Sequence, residues 1–355
     1  MSTNSAIDRA WVEVNLQNLV ANARAVLKAG RGASLLPMVK ADAYGLGVER
    51  VVVALETLNP WGFGVATIEE GAQLRDIGVS KPIVVFTPAR TTQLPEYARY
   101  DLRPVLDCSE TLSLWDGPFH LEIDTGMGRG GVRWDDTESI REAGVSEPEG
   151  VFTHFHSADE SADSLRVQLE RFERAVGLLG KRPALVHVAN SAGSFRVSTQ
   201  MDLVRPGIFL YGGKVGDDQP TPLPVTRFRT VVASIRTVRA GDTISYGADW
   251  TAEHTTRVAT LSAGYADGIR RSVQGKAHVL IGGRPFPVTG RITMDMTMVD
   301  IGMDHPVRAG DIATIWGDDS GHEITLDQFG AWAGTISYEI LTGLGKRVPR
   351  RYLGV

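Results

Sequence analysis

The stretch "LLPMVKADAYGLG", residues 35–47, runs apolar side chains and a proline into one lysine, Lys40. A strand with one wet face alternates apolar and polar positions, because successive side chains point to opposite sides. Leu35, Leu36, Met38 and Val39 leave no wet face. The run therefore reads as a strand covered on both sides, with Lys40 at its mouth. A lysine partly removed from water loses its proton more readily and becomes a nucleophile.

Seven more runs of this texture follow: "WGFGVA" from Trp61, "PIVVF" from Pro82, "LRPVLD" from Leu102, "FHLEID" from Phe119, "GVFTHF" from Gly150, "ALVHVA" from Ala184 and "LVRPGIFL" from Leu203. Helix-like segments separate them, such as "IEEGAQLRDIG" and "SADSLRVQLERFERAVGLLG". The second predicts a buried stripe of Leu165, Leu169, Phe172, Val176 and Leu179 at helical spacing. Apolar strands alternating with amphipathic helices predict a parallel sheet with helices packed outside it. Eight such units without a reversal of order favour a (β/α)8 TIM-type barrel over an open doubly wound sheet.

After Tyr211 the texture changes. "GGKVGDDQPTPLP" is rich in turn residues and opens a series of β-rich runs, among them "TVVASIRTV", "RVATLSAGY" and "DIATIWG". The expected organisation is a barrel domain over residues 12–226 and a mostly β C-terminal domain over residues 227–355, with residues 1–11 joining the latter.

The net charge of −5 comes without a basic block, which argues against a nucleic-acid partner. The single cysteine, Cys108, rules out an internal disulfide framework and fits a reducing cytoplasm. No apolar run is long enough to span a bilayer, and the N-terminus lacks a signal-like apolar region. No His, Cys and carboxylate set has metal-ligand spacing, so no metal is expected.

In a barrel of this kind, chemistry gathers at the C-terminal ends of the strands. Lys40 and Tyr44 fall after the first strand, and Arg129 lies on the glycine-rich turn of "DTGMGRGG" after the fifth. His154 ends the sixth strand, Asn190 and Ser191 follow the seventh, and Arg205 stands beside Gly207 and Ile208 in the eighth. Loops after the last two strands commonly cradle phosphate, through helix N-termini and open glycine backbone. A phosphate cradle, two arginines, a histidine and a desolvated lysine suit a phosphorylated aldehyde held by the lysine, with pyridoxal 5′-phosphate (PLP) the leading candidate. Each residue alone has a plainer reading: a snorkelling lysine, a structural arginine pair, a core histidine, a helix cap in "NSAG". Their joint placement on one face of one barrel outweighs these.

Seven motifs in order, "MVKADAYG", "DTGMGRGG", "THFHSADE", "VANSAG", "LVRPGIFLYGG", "SAGYADG" and "GRITMDMTMVD", resemble the PLP-dependent alanine racemases. The resemblance runs from about Trp11 to Tyr352 and implies a PLP-binding barrel plus a β domain in a head-to-tail homodimer. It implies that Lys40 carries the cofactor and acts as one catalytic base. Tyr265 of "GYADG" would be the opposite base, reaching the other subunit's active site. Arg205 would face the pyridine nitrogen; an arginine keeps its proton at ordinary pH and so leaves that nitrogen without one. Tyr44, Ser191, Gly207, Ile208 and Tyr338 match phosphate contacts, and His154 matches a histidine lying against the cofactor ring. Arg129 and Met294 match the substrate-carboxylate side, Asn190 goes with the residues around the cofactor, and Asp295 is a supporting residue. The implied reaction interconverts L- and D-alanine and supplies D-alanine for peptidoglycan. A racemase of broader specificity (serine, for example), an amino-acid decarboxylase of the same fold type and a non-enzymatic PLP carrier are the alternatives. Tyr265 argues against a decarboxylase, which needs no second α-proton base, and the β domain argues against a simple carrier.

The chain departs from the family pattern at several positions. Glu122 stands where a lysine bearing a carbamate is common. Its carboxylate is expected to steer Arg129 permanently through a charge-assisted hydrogen bond, without carbon dioxide. Leu46, Gly130, His156 and Thr293 also differ from the usual residues, and none of these changes removes a catalytic group.

Overall fold

A computed structural model describes residues 8–197 and 201–354. The chain divides into two compact units. One is Leu19–Leu223, and the other combines the chain up to Asn18 with everything from Pro224.

The second unit claims the first strand, β1 (Ala10–Asn15). The expected boundary at residue 12 cuts this strand, whereas β1 is hydrogen-bonded along its whole length to strands from the far end of the chain. The division accordingly falls at Asn18/Leu19, and the later one at Leu223/Pro224. Residues 1–7 of the expected N-terminal segment lie outside the described residues.

Leu19–Leu223 holds the barrel. Its strands are β2 (Ser34–Leu35), β3 (Phe63–Val65), β4 (Ile83–Pro88), β5 (Arg103–Leu106) and β6 (His120–Asp124), followed by a short β7 (Val132–Arg133) beside β6. Then come β8 (Gly150–Phe152), β9 (Leu185–His187) and β10 (Leu203–Val204). All pairings are parallel, in the order β3-β4-β5-β6-β8-β9, with β10 on β2. Backbone hydrogen bonds close the ring. Asp202 N–H donates to Val186 O and Arg205 N–H to Ala189 O, both at 2.9 Å, joining β9 to β10. Gly64 N–H to Pro37 O and Val39 N–H to Gly64 O, at 2.9 and 2.8 Å, join β2 to β3. Each of the eight predicted barrel runs contributes one strand of this ring.

Leu36, Val84, Val105, Phe152 and Leu203 pack together in the barrel as a core cluster. They come from different strands, so the barrel is a filled core and not a pore. The helix Ala162–Val176 buries Leu165, Gln168, Phe172 and Ala175. Leu169 and Val176, expected in that stripe, are only half-buried. The buried face is rotated toward Gln168, whose amide donates to Thr125 Oγ1 at 3.0 Å and to His154 O at 3.1 Å. Polar demand at the strand ends outweighs two leucine-like positions in setting the helix face.

The other unit is mostly strand. The 13-residue β11 (Thr226–Val238) is its spine. It pairs antiparallel with β1, and β1 pairs in parallel with the last strand, Arg350–Leu353. Two antiparallel strands, Thr256–Leu261 and Ile312–Asp319, also pair with β11. Trp316 sits fully buried against Phe228 and Phe329, with its indole N–H donated to Thr226 Oγ1 at 3.2 Å. Among the described residues no helix is long and apolar enough to cross a membrane.

Candidate active site

Lys40 follows the first barrel strand and opens a turn over Lys40–Gly45. Ala41, Asp42, Ala43 and Tyr44 all adopt positive φ, between 52° and 57°. Four consecutive L-residues in the left-handed region cost about 1–2 kcal/mol each, so the surroundings must impose the turn. Glu70 Oε1 accepts the Ala41 N–H at 2.6 Å, and Asp42 Oδ1 accepts the Val48 N–H at 2.8 Å. Glu70 is itself fixed by a capping box with Thr67, and its second oxygen accepts the Ala66 N–H at 2.7 Å. The turn leaves Lys40 half-buried. Burial holds its ammonium below the ordinary lysine range; the charge of Arg129 adds to this, and Glu70 opposes it.

The same turn buries Tyr44, whose ring stacks on Tyr211 with centroids 4.5 Å apart. A Cβ at residue 207 would fall 2.3 Å from the Tyr44 hydroxyl, so only glycine leaves room there. Ser191 Oγ accepts the Gly207 N–H at 2.8 Å, and buried Ile208 begins the short helix Ile208–Tyr211. Asn190 Oδ1 accepts the Gly193 N–H at 2.9 Å, a capping contact, and its amide donates to Phe155 O at 3.3 Å. Tyr44, Ser191, Gly207 and Ile208 thus gather around open backbone at one helix start.

Arg205 is only 3% exposed. Its guanidinium donates to His187 Nδ1 at 2.9 Å, His187 O at 2.8 Å and Thr153 O at 2.8 Å, and lies over the Phe152 ring at 5.1 Å. Burial brings its pKa down to about 9, with Glu122 opposing and Arg129 assisting. It remains a cation at neutral pH. His154 is pushed down to about 3 by burial and by the charges of Arg205, Arg129 and Lys40, so its ring is neutral.

Arg129 is exposed on the turn between β6 and β7, where Asp124 Oδ1 accepts the N–H groups of Gly126 and Gly128 at 2.9 and 3.1 Å. Glu122 is 4% exposed, and burial pushes its carboxyl up to about 7 against the pull of Arg129 and Arg205. The expected hydrogen bond between Glu122 and Arg129 is not formed; the two groups interact through their charges alone. Gly131 closes over Glu122, with a Cβ there falling 2.8 Å from Glu122 Cγ.

The remaining candidates belong to the other unit. Tyr265 is 42% exposed and starts the 3-10 turn Tyr265–Asp267. Its N–H donates to Thr293 O, and the Ala266 N–H to Met294 O, both at 3.0 Å. Gly264 permits this approach, because a Cβ there would meet Thr293 O at 2.3 Å. Met294 and Tyr338 are exposed, and Asp295 pairs with Arg347 at 2.7 Å. Fully buried Asp267 ties the loops together, accepting from Gly264 N–H, Arg9 and Arg347.

Sequence reading missed Glu70, Asp267, Arg347, His120 and His187. Glu70 carries a legible signal, the Thr67-x-x-Glu70 capping pattern. The two histidines lie inside apolar strands, where nothing local separates a hydrogen-bonding histidine from a core one.

Residues 14–215 match the family model for the alanine racemase N-terminal domain, and residues 225–352 that for the C-terminal domain. The alanine racemase of Symbiobacterium thermophilum is 38% identical, with 97% of each chain covered. The crystal structure of alanine racemase from the D-cycloserine producer Streptomyces lavendulae superposes with a TM-score of 0.91 at 33% identity, covering 99% of this chain and 98% of that one. The Bartonella henselae alanine racemase, a structure with covalently bound pyridoxal phosphate, gives 0.89 at 30% identity, covering 97% and 99%. With most of its length matched by the two domain models together and its fold shared with these enzymes, the chain belongs to the alanine racemase family of isomerases.

Proposed function

We propose that this chain racemises alanine with PLP held on Lys40 and works as a homodimer in the cytoplasm, supplying D-alanine for peptidoglycan. The observation that carries the reading is Lys40 itself: half-buried, its pKa lowered, on a left-handed turn that also delivers Tyr44 to the Gly207 cradle. The residues present fit PLP. Ser191, Tyr44, Gly207 and Ile208 would hold its phosphate. Arg205, a buried cation, suits an unprotonated pyridine nitrogen, and neutral His154 suits the ring face.

Bound PLP delocalises the electron pair left behind when the α-proton departs. Two bases then act on opposite faces. Lys40 Nζ takes or returns the proton on one side, and Tyr265 Oη, supplied by a second copy of the chain, does so on the other. Its lowered pKa lets Lys40 reach the neutral, proton-accepting form at a lower pH than an exposed lysine. Arg129, with Glu122 behind it, orients the substrate carboxylate from the barrel; the backbone at Met294 and Asp295 do so from beside Tyr265, and Asn190 helps hold the cofactor.

The test is to incubate the PLP-loaded protein with L-alanine in deuterated water and resolve the enantiomers by mass. α-Deuterated D-alanine is the expected product; its absence, with no deuterium uptake, would sink the assignment. Tyr265→Phe should retain PLP while slowing racemisation by about 10²–10⁴-fold, the usual reach of a general base.

A further inference from the structure

A chain of buried side chains runs from Arg205 to the opposite end of the barrel. Arg205 Nη1 lies 2.9 Å from His187 Nδ1, and His187 Nε2 lies 2.8 Å from His120 Nδ1. His120 Nε2 faces Glu149 Oε2 at 3.7 Å, and Arg103 Nε stands 3.4 Å from the same oxygen. Both histidines are fully buried, and Glu149 is 28% exposed. Glu149 immediately precedes strand β8, so it lies at the strand's N-terminal end, away from the chemistry.

The donor inventory fixes the direction of this chain. A guanidinium only donates, so His187 Nδ1 must accept and its proton must sit on Nε2. That proton is given to His120 Nδ1, which leaves the second proton on His120 Nε2, aimed at Glu149. Burial lowers the pKa of both rings; Glu149 opposes this at His120 and Arg205 adds to it at each, and the net shift is downward, so both are neutral and one tautomer of each satisfies the chain. His120 Nε2 and Glu149 Oε2 are buried with no hydrogen-bond partner, one small shift from each other. Gly150 is required beside them, since a Cβ there would fall 2.5 Å from His120 Nδ1.

We propose that Glu149 is a positioning residue for Arg205, acting through His120 and His187 by fixing both ring tautomers so that His187 presents an acceptor to the guanidinium. Without the carboxylate, the tautomers are held from the Arg205 end alone, and the reversed pair, in which His187 turns an N–H toward an arginine that can only donate, is no longer opposed at the His120 end. The inference rests on the role given to Arg205 above.

The test labels the histidines of the holoenzyme with ¹⁵N and reads each ring's tautomer from its nitrogen shifts. The wild type should hold both protons on Nε2. Glu149→Leu should give mixed tautomers at His120 and His187, move the absorbance of the bound cofactor, and lower kcat on the order of threefold to tenfold with KM unchanged. Glu149→Gln, which keeps an acceptor oxygen, should restore the wild-type tautomers and kcat. Unchanged tautomers in Glu149→Leu would overturn the proposal. So would changed tautomers with an unmoved cofactor absorbance and kcat. Tautomers and cofactor absorbance that respond to Glu149→Leu, while the wild type fails to racemise alanine, would uphold the relay and overturn only the functional assignment.

Discussion

Arg347 Nε donates to Asp267 Oδ1 at 2.8 Å, and the same guanidinium reaches Asp295 at 2.7 Å and the Met294 carbonyl at 3.2 Å. One arginine therefore joins the turn that carries Tyr265 to the loop that carries Met294. Arg9 makes the second pair to Asp267, at 3.0 Å. Burial works to raise the Asp267 pKa, but these two arginines and the Gly264 N–H overcome it, and the net shift is downward. A depressed carboxyl contributes stability that is present above its unfolded pKa and lost as pH falls through the folded value.

Asp267→Asn should therefore lower stability by about 2 kcal/mol. That is less than the 3–5 kcal/mol of a fully buried pair, because both arginines stay two-fifths exposed. Urea denaturation at pH 7 and at pH 3 checks it: the gap between variant and wild type should narrow at the acid end. A gap independent of pH would show that Asp267 acts by shape and not by charge.

Lys40 is set between opposing charges, with Arg129 lowering its pKa and Glu70 raising it. In the apoenzyme, Arg129→Gln should move the pH midpoint for capture of PLP upward, and Glu70→Gln should move it downward. The rate of cofactor absorbance change, followed across pH, measures both. Shifts in the same direction would show that the turn's geometry outweighs its charges, since Glu70 also accepts the Ala41 N–H.

The barrel was legible because buried parallel strands repeat a simple texture, and each of eight apolar runs supplied one strand. The left-handed turn was not legible. Nothing in "ADAY" announces four positive φ values, which are imposed by Glu70 and Asp42 contacts formed only in the folded chain. Gln168 misled for a related reason: it occupies a buried helix position to serve Thr125 and His154, a demand set by strands distant in sequence. The partners of β1 were beyond local reading too, since its two neighbours start at Thr226 and Arg350. The glycines beside the candidate site residues have a physical reason that a sequence can signal, because Gly207 and Gly264 stand where a chain segment approaches too closely for a Cβ.

Glu122 is buried with its carboxyl raised to about 7, from an unfolded value near 4.5. Between those values the folded state holds a proton that the unfolded state has released, so this group's contribution to stability falls as pH rises through the window. The penalty is absent below about pH 4.5 and complete above about pH 7, where it amounts to about 3 kcal/mol. Glu122→Gln removes the titration. In the apoenzyme, the variant's stability relative to wild type should climb across this window and level off above it. A flat difference would mean that Arg129 and Arg205 offset the burial completely. The same substitution bears on catalysis. A carboxyl built into the side chain needs no carbon dioxide, so racemisation by a CO2-depleted preparation should not respond to added bicarbonate. A response would point to a carbamate on another residue, because a carboxylate side chain has no amine to form one.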